Sequence, residues 1–301
     1  MTLVQFLKLE NSMMDKRIGV VINDAGAANQ IISLLIANNV KNLRVYAAGP
    51  GEKLWLAAFN SDAALSSMND VLDWAEILLT GTGWATQIEK QALYKAINRG
   101  MPCVAYLDHW SNYVERLTYQ NEVLKPSSIW VADPQAKALA EAAFSDVYVE
   151  QVPNYYLENE VKKISKVPER SETALYICEP VRANGRVSVR LTKAPMMLAI
   201  SKIQLGYLGP ISKLIVRPHP SQDIKDFDFL KELKLNFKVS ISQDTSLHDE
   251  IGMSLNVIGY HSFALVIAHH SGRKIFCSAP LNTAPSIIPN IEFKYLRDMA
   301  T

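Results

Sequence analysis

Short apolar runs that stop abruptly at polar or small residues recur along this chain, with stretches of helical spacing between them. Arg17-Ile-Gly-Val-Val-Ile-Asn23 is a continuous apolar run of strand length, which predicts a strand covered on both faces. The polar turn Asp24-Ala-Gly-Ala-Ala-Asn-Gln30 follows, and Ile31 to Ala37 continues as an apolar helix. Leu43 to Ala48 predicts a second strand, closed by Gly49-Pro-Gly51, and Ala75 to Thr80 a third, leading into Gly81-Thr-Gly-Trp84. From Thr86 to Asn98 the residues Ile88, Ala92 and Leu93 share one helical face, and Arg99-Gly100 closes that helix in the expected polarity. Pro102 to Leu107 predicts a strand running into Asp108-His-Trp-Ser-Asn112. Strands at Ser128 to Ala132 and Val147 to Val152 flank a helix from Pro134 to Ala143.

The pattern changes near Pro153. Leu157 to Thr173 is rich in Lys, Glu and Ser and reads as a linker. A second alternation follows, with strands expected at Ala174 to Cys178, Leu214 to Val216, Phe237 to Ile241, Leu255 to Ile258 and Lys274 to Cys277. Helices are expected at Val187 to Leu205, Ile224 to Leu233, Ser246 to Ile251 and Ser262 to His270, with Pro195 kinking or splitting the first. Glu292 to Met299 reads as a short terminal helix. The alternation predicts an α/β protein of two Rossmann-like, doubly wound domains facing a cleft, residues 1–155 and 156–301.

Composition narrows the function. The chain has 301 residues, 49% of them apolar, enough for two cores. A net charge of +1 gives no global pull on nucleic acid or anionic membrane, and no nucleic-acid module is legible. Cys103, Cys178 and Cys277 are far apart and lie in or at the end of apolar runs, so buried free thiols and a cytoplasmic location are expected. No run approaches the roughly 20 apolar residues of a membrane span. The first 16 residues lack the apolar core and cleavage site of a signal peptide and read as a frayed or accessory helix.

Candidate chemistry gathers where strands end. Lys213-Leu-Ile-Val-Arg-Pro-His-Pro220 stops at Arg217 and His219, and two prolines fix the loop that carries the imidazole. Val257-Ile-Gly-Tyr-His-Ser-Phe-Ala-Leu265 stops at Gly259, His261 and Ser262 at a helix start, where backbone N–H groups favour anions. Ser262 alone reads equally as an N-cap. In the first half, Gly26 allows close approach to a helix N-terminus, while Asp24 is either a cap or a functional carboxylate. Thr82 either lines a ligand or caps the next helix. Asp108 and His109 are rival proton acceptors at a strand end crowded with polar groups, unless Asp108 caps a helix starting at His109 or Trp110. Arg182 or Arg186 could reach a phosphate, though both read more readily as solvated. No HExxH, DxD or Cys/His set at ligand spacing is present, so neither a metal nor a cofactor is expected.

These features together resemble a GT-B glycosyltransferase, closest to bacterial capsule, lipopolysaccharide and sialyl- or Kdo-type transferases with a His-Pro motif. The resemblance spans Arg17 to Pro280 and is most specific in Arg-Pro-His-Pro and Gly-Tyr-His-Ser-x-Ala-Leu. It implies that His219 and Ser262 hold the nucleotide's phosphate and that Asp108, with Asp24 as rival, is the base. It also implies metal-independent transfer of a sugar from a nucleotide donor to a glycan or surface-polysaccharide acceptor. A CMP-linked acidic sugar is the favoured donor, with UDP- and GDP-linked sugars as alternatives. Arg217, His219, Gly259, His261 and Ser262 would form the nucleotide side, and Asp24, Gly26, Thr82 and His109 the acceptor side, with domain closure excluding water. Enzymes of this kind work at membrane surfaces, so peripheral membrane association is compatible with it, although no segment reads as a strongly basic amphipathic helix. Polyol-phosphate transferases and nucleotide-sugar 2-epimerases share the scaffold. A protein that binds nucleotide or carbohydrate without catalysis is the reading from another class.

Overall fold

A computed structural model describes residues 16–59, 65–83, 86–179, 182–183, 186–187, 189–281, 283–289 and 291–299. The side chains of 182–192 are not described, so the phosphate role considered for Arg182 or Arg186 lies outside the described atoms, as does the helix expected at the N-terminus. Two compact units divide the chain, Met1–Tyr156 and Leu157–Thr301.

Unit 1 contains β1 (Ile18–Ile22), α1 (Ala25–Ala37), β2 (Leu43–Ala47), α2 (Gly49–Phe59), α3 (Met68–Trp74), β3 (Ile77–Thr80), α4 (Ile88–Asn98), β4 (Cys103–Leu107), α5 (Tyr113–Arg116), β5 (Ser128–Val131), α6 (Pro134–Ala143) and β6 (Tyr148–Gln151). Its six-stranded sheet is entirely parallel, in the order β2-β1-β3-β4-β5-β6, and a short antiparallel hairpin, Thr118–Tyr119 with Glu122–Val123, stands apart from it. Alternate residues feed two cores, as strand geometry requires. Val21, Leu78, Ala105 and Ile129 pack with Val71 and Leu72 of α3 and Leu93 of α4 on one face. Val20, Ile22, Val104 and Tyr106 pack with Ile31 and Leu35 of α1 and Trp55 of α2 on the other. The sheet is therefore doubly wound, which explains its uninterrupted apolar strands.

A helix, α7 (Tyr155–Lys162), crosses the boundary between the units. Unit 2 continues with β7 (Thr173–Ile177), α8 (Val189–Gln204), β8 (Lys213–Arg217), a 3-10 segment (Ile224–Glu232), β9 (Lys238–Ile241), α9 (Leu247–Met253), β10 (Asn256–Gly259), α10 (Phe263–His270), β11 (Lys274–Cys277) and β12 (Lys294–Tyr295). Its sheet is again parallel, in the order β9-β8-β7-β10-β11-β12. Tyr176, Val216 and Phe276 of the sheet pack against Met196, Ile200 and Ile203 of α8. All three cysteines are free and buried.

Several sequence expectations change. The presumed linker is partly helix α7, whose Glu160 pairs with Lys163 and with His248 of α9. Arg273 then holds the carbonyls of Ser165 and Lys166, so this polar stretch is fixed by tertiary hydrogen bonds rather than by apolar spacing. Pro195 sits within α8 without splitting it, because Met196 and Ala199 are anchored in the core. Ile224–Glu232 winds as 3-10 helix, and the presumed terminal helix is β12 followed by a single 3-10 turn at Leu296–Asp298. Gly49-Pro-Gly51, read as a strand breaker, opens α2: proline is tolerated in a first helical turn, and Gly51 abuts the backbone of Ile22 and Asn23.

Candidate functional site

In each sheet the chain leaves one strand on one side and later returns on the other, and the C-terminal ends at that reversal form the usual ligand crevice of such sheets. In unit 1 the reversal lies between β1 and β3, and in unit 2 between β7 and β10. A glutamate bridges the two loops at each, fully buried in unit 1 and half-buried in unit 2.

In unit 1 that residue is Glu89, in the first turn of α4 and 1% exposed. Its Oε1 accepts the N–H groups of Asn23 (3.0 Å) and Asp24 (3.4 Å) after β1, and its Oε2 that of Gly83 (2.5 Å) after β3. A Cβ at Gly81 or Gly83 would lie 2.4 Å from a Glu89 carboxylate oxygen, so glycine is what brings this loop onto the carboxylate. Burial outweighs the two backbone hydrogen bonds that favour the anion and raises the Glu89 pKa to about 7, with Asp24 and Asp108 adding to the rise.

Asp24 caps α1, its carboxylate accepting the Gly26 N–H at 3.1 Å. Asp108 follows β4 and lies directly on Gly26, where an added Cβ would fall 1.9 Å from its Oδ2. Asp24 and Gly26, neighbours in sequence, thus share one spot with the distant Asp108. The Asp108 side chain is 9% exposed, its Oδ1 has no hydrogen-bond donor, and the nearest cation is Nη1 of Arg116 at 3.6 Å. Burial raises Asp108 to about 6, against the pull of Arg116 and with a push from Asp24. Arg116 itself donates to the carbonyls of Ser111 and Thr82, both at 3.1 Å. The capping alternative for Asp108 is not what is observed: α5 starts at Tyr113 with Asn112 as its N-cap. Thr82 is buried and its hydroxyl donates to the Tyr106 carbonyl at 3.0 Å, a tie between β3 and β4. His109 is half-buried, its Nδ1 3.1 Å from the Ser111 hydroxyl.

In unit 2 Glu179, two residues beyond β7, accepts the backbone N–H groups of Tyr260, His261 (2.5 Å) and Ser262. These N–H groups belong to the loop that leads into α10, beside the helix start that the sequence assigned to a phosphate. Burial raises Glu179 to about 7, over the opposing effect of those hydrogen bonds. Ser262 is the N-cap of α10, its Oγ accepting from Ala264 at 3.3 Å. The His261 ring stacks on Tyr260 at 3.6 Å, its Nδ1 accepts from Ile287 at 3.2 Å, and burial lowers its pKa. Gly259 is buried, with a Cβ there only 3.0 Å from Leu265. Arg217 ends β8 with Nη1 held by Glu250 (2.7 Å), the Thr245 carbonyl (2.9 Å) and Ser242 (3.3 Å). His219 is exposed; the Ser221 N–H donates to its Nδ1 at 3.2 Å, which places the proton of the neutral ring on Nε2.

The residues that sequence reasoning missed are Glu89, Glu179, Arg116 and Glu250, which act on backbone or on one another across long sequence separations. The only local signal was an acid in the first turn of α4 and of α9. Among the described residues no group of three His, Cys, Asp or Glu is disposed to hold a metal ion, and no helix is long and apolar enough to cross a membrane.

No family model matches this chain, and no curated protein matches it. Solved structures do. The Methanocaldococcus jannaschii UDP-GlcNAc 2-epimerase in complex with UDP-GlcNAc and UDP superposes with a TM-score of 0.55 at 10% identity, over 86% of this chain and 83% of that one. A UDP-N-acetylglucosamine 2-epimerase from Rickettsia bellii gives 0.53 at 11% identity, over 87% and 78%. An Escherichia coli heptosyltransferase with ADP-2-deoxy-2-fluoro heptose gives 0.39 at 10% identity over 89% and 90%, too low a score to carry an argument. At these identities the similarity defines the fold class alone. Each unit of this chain is a doubly wound parallel α/β sheet of six strands, and the fold is of GT-B type.

Proposed function

We propose that this chain is a nucleotide-sugar enzyme that transfers the sugar, without metal assistance, to a hydroxyl of a glycan acceptor. The observation that carries this reading is Asp108: a buried carboxyl beside the β1–β3 reversal, lacking a donor on Oδ1 and raised to about 6. Such a group is largely ionised near neutrality yet basic enough to take a proton in a transition state. The acceptor oxygen attacks the anomeric carbon, its proton passes to Asp108, and the sugar–phosphate bond breaks with the electron pair leaving on the nucleotide. His219 donates from Nε2 and Arg217 from the guanidinium N–H groups that Glu250 does not hold, offsetting charge on the departing phosphate. Gly259, His261 and Ser262 complete the nucleotide side, where a phosphate shares the N–H groups of residues 260–262 with Glu179 only once that carboxyl is neutral or displaced. A CMP-linked acidic sugar remains the favoured donor on the motif resemblance.

A second reading, 2-epimerisation of a nucleotide sugar, is supported by the epimerase folds with TM-scores above 0.5. One experiment separates them. The protein is incubated in D2O with CMP-, UDP- and GDP-linked sugars, with and without glycan acceptors, and followed by NMR. Transfer releases nucleotide only with an acceptor and is lost in Asp108→Asn and His219→Ala. Epimerisation places deuterium at C2 with no acceptor present. Full turnover in both variants refutes the catalytic assignment, and absence of a thermal shift with every nucleotide removes both readings.

A further inference from the structure

We propose that the ligand group bound at the Asp24–Gly26–Asp108 edge of unit 1 is an uncharged, hydroxyl-bearing sugar, and that this edge excludes acidic groups. The inference rests on reading unit 1 as the acceptor side, and it follows from counting donors and acceptors. A helix start at a sheet reversal ordinarily offers backbone N–H groups to an anion. Here five of the surrounding ones are already taken. Glu89 holds those of Asn23, Asp24 and Gly83, and the Asp24 side chain and carbonyl hold those of Gly26 and Ala28.

The nearby cations already donate to backbone. Arg116, 8% exposed, donates to the carbonyls of Ser111 and Thr82 and stands 3.6 Å from Asp108. Lys90, equally buried, donates to the Glu115 carbonyl at 2.8 Å. What the edge retains is acceptor capacity. Asp108 is nine-tenths buried with an oxygen that no donor reaches, a state whose desolvation cost is relieved when a ligand supplies an O–H. An incoming carboxylate or phosphate would instead meet three carboxyl groups, Asp24, Asp108 and Glu89, with Arg116 and Lys90 partly drawn to backbone carbonyls.

Saturation-transfer NMR and chemical-shift mapping at pH 8 test this on the full chain with four methyl glycoside classes: uncharged hexosides and N-acetylhexosaminides, aminohexosides, uronates and hexose phosphates. Uncharged sugars are expected to bind at least tenfold more tightly than uronates and phosphates and to shift the Gly26 and Gly83 amides. Asp108→Asn should weaken uncharged sugars fivefold or more, and Asp24→Asn, which keeps the cap oxygen, should narrow the gap to uronates. Equal binding of a uronate or phosphate overturns the inference, as does a tenfold preference for aminohexosides or binding of none of the four. Nucleotide titrations in the same samples read unit 2 independently. Uncharged-sugar binding without nucleotide binding sinks the proposed function but not this inference, whereas turnover with acidic acceptors alone does the reverse.

Discussion

Gly26→Ala offers a test in which two physical effects have opposite signs. Gly26 is the second residue of α1 and has ordinary helical geometry, so alanine there would by itself stabilise the helix by up to about 1 kcal/mol. The added Cβ, however, would lie 1.9 Å from Oδ2 and 3.0 Å from Cγ of Asp108. Asp108 cannot give way cheaply, because its carboxyl is buried and Arg116 stands beside it. Overpacking of this kind costs about 1–3 kcal/mol, so the net expectation is a loss of up to about 2 kcal/mol rather than a gain. In an Asp108→Ala background the main obstacle is gone, leaving only Oδ2 of Asp24 at 3.3 Å, and Gly26→Ala should stabilise by up to about 1 kcal/mol. The coupling between the two sites is then about 1–3 kcal/mol, well above the few tenths seen for independent positions. Urea denaturation of the four members of this cycle, followed by far-UV circular dichroism, measures it. A stabilising Gly26→Ala in the wild-type background, or a coupling below about 0.5 kcal/mol, would refute the placement of Asp108 on α1 and with it the site.

Two further outcomes follow from the bridging glutamates. The Glu89 pKa rises from 4.5 to about 7 in the folded protein, so between those values the folded state holds the extra proton and its stability falls as pH rises, by roughly 3 kcal/mol across the window; Glu89→Gln should flatten that slope when urea stability is compared at pH 4.5 and 8, and an unchanged slope would count against it. For Glu179, a phosphate bound at the N–H groups of residues 260–262 favours the protonated carboxyl, so nucleotide affinity measured by calorimetry should rise as pH falls from 8 to 6 with net proton uptake, and Glu179→Gln should abolish that dependence; proton release on binding would contradict it.

What the sequence determined by itself is what depends on near neighbours. Continuous apolar runs such as Ile18–Ile22 and Cys103–Leu107 can be satisfied only by strands covered on both faces, and that requirement gave the parallel, doubly wound units. The polar stops at Asp24, Asp108, Arg217 and Ser262 were legible for the same reason, since a buried run must end where a carboxylate or guanidinium begins. The polar helix α7 and the segment after it were not legible, because His248 holds Glu160 and Arg273 holds the carbonyls of Ser165 and Lys166, and neither partner is near in sequence. Nor could the sequence show that Glu89 and Glu179 occupy backbone N–H groups 65 and 82 positions away, respectively. Only the tertiary structure decides which donors at a strand end remain open to a ligand, because each buried N–H has one proton to give, and whether an internal carboxylate has taken it depends on which loops the sheet order brings together.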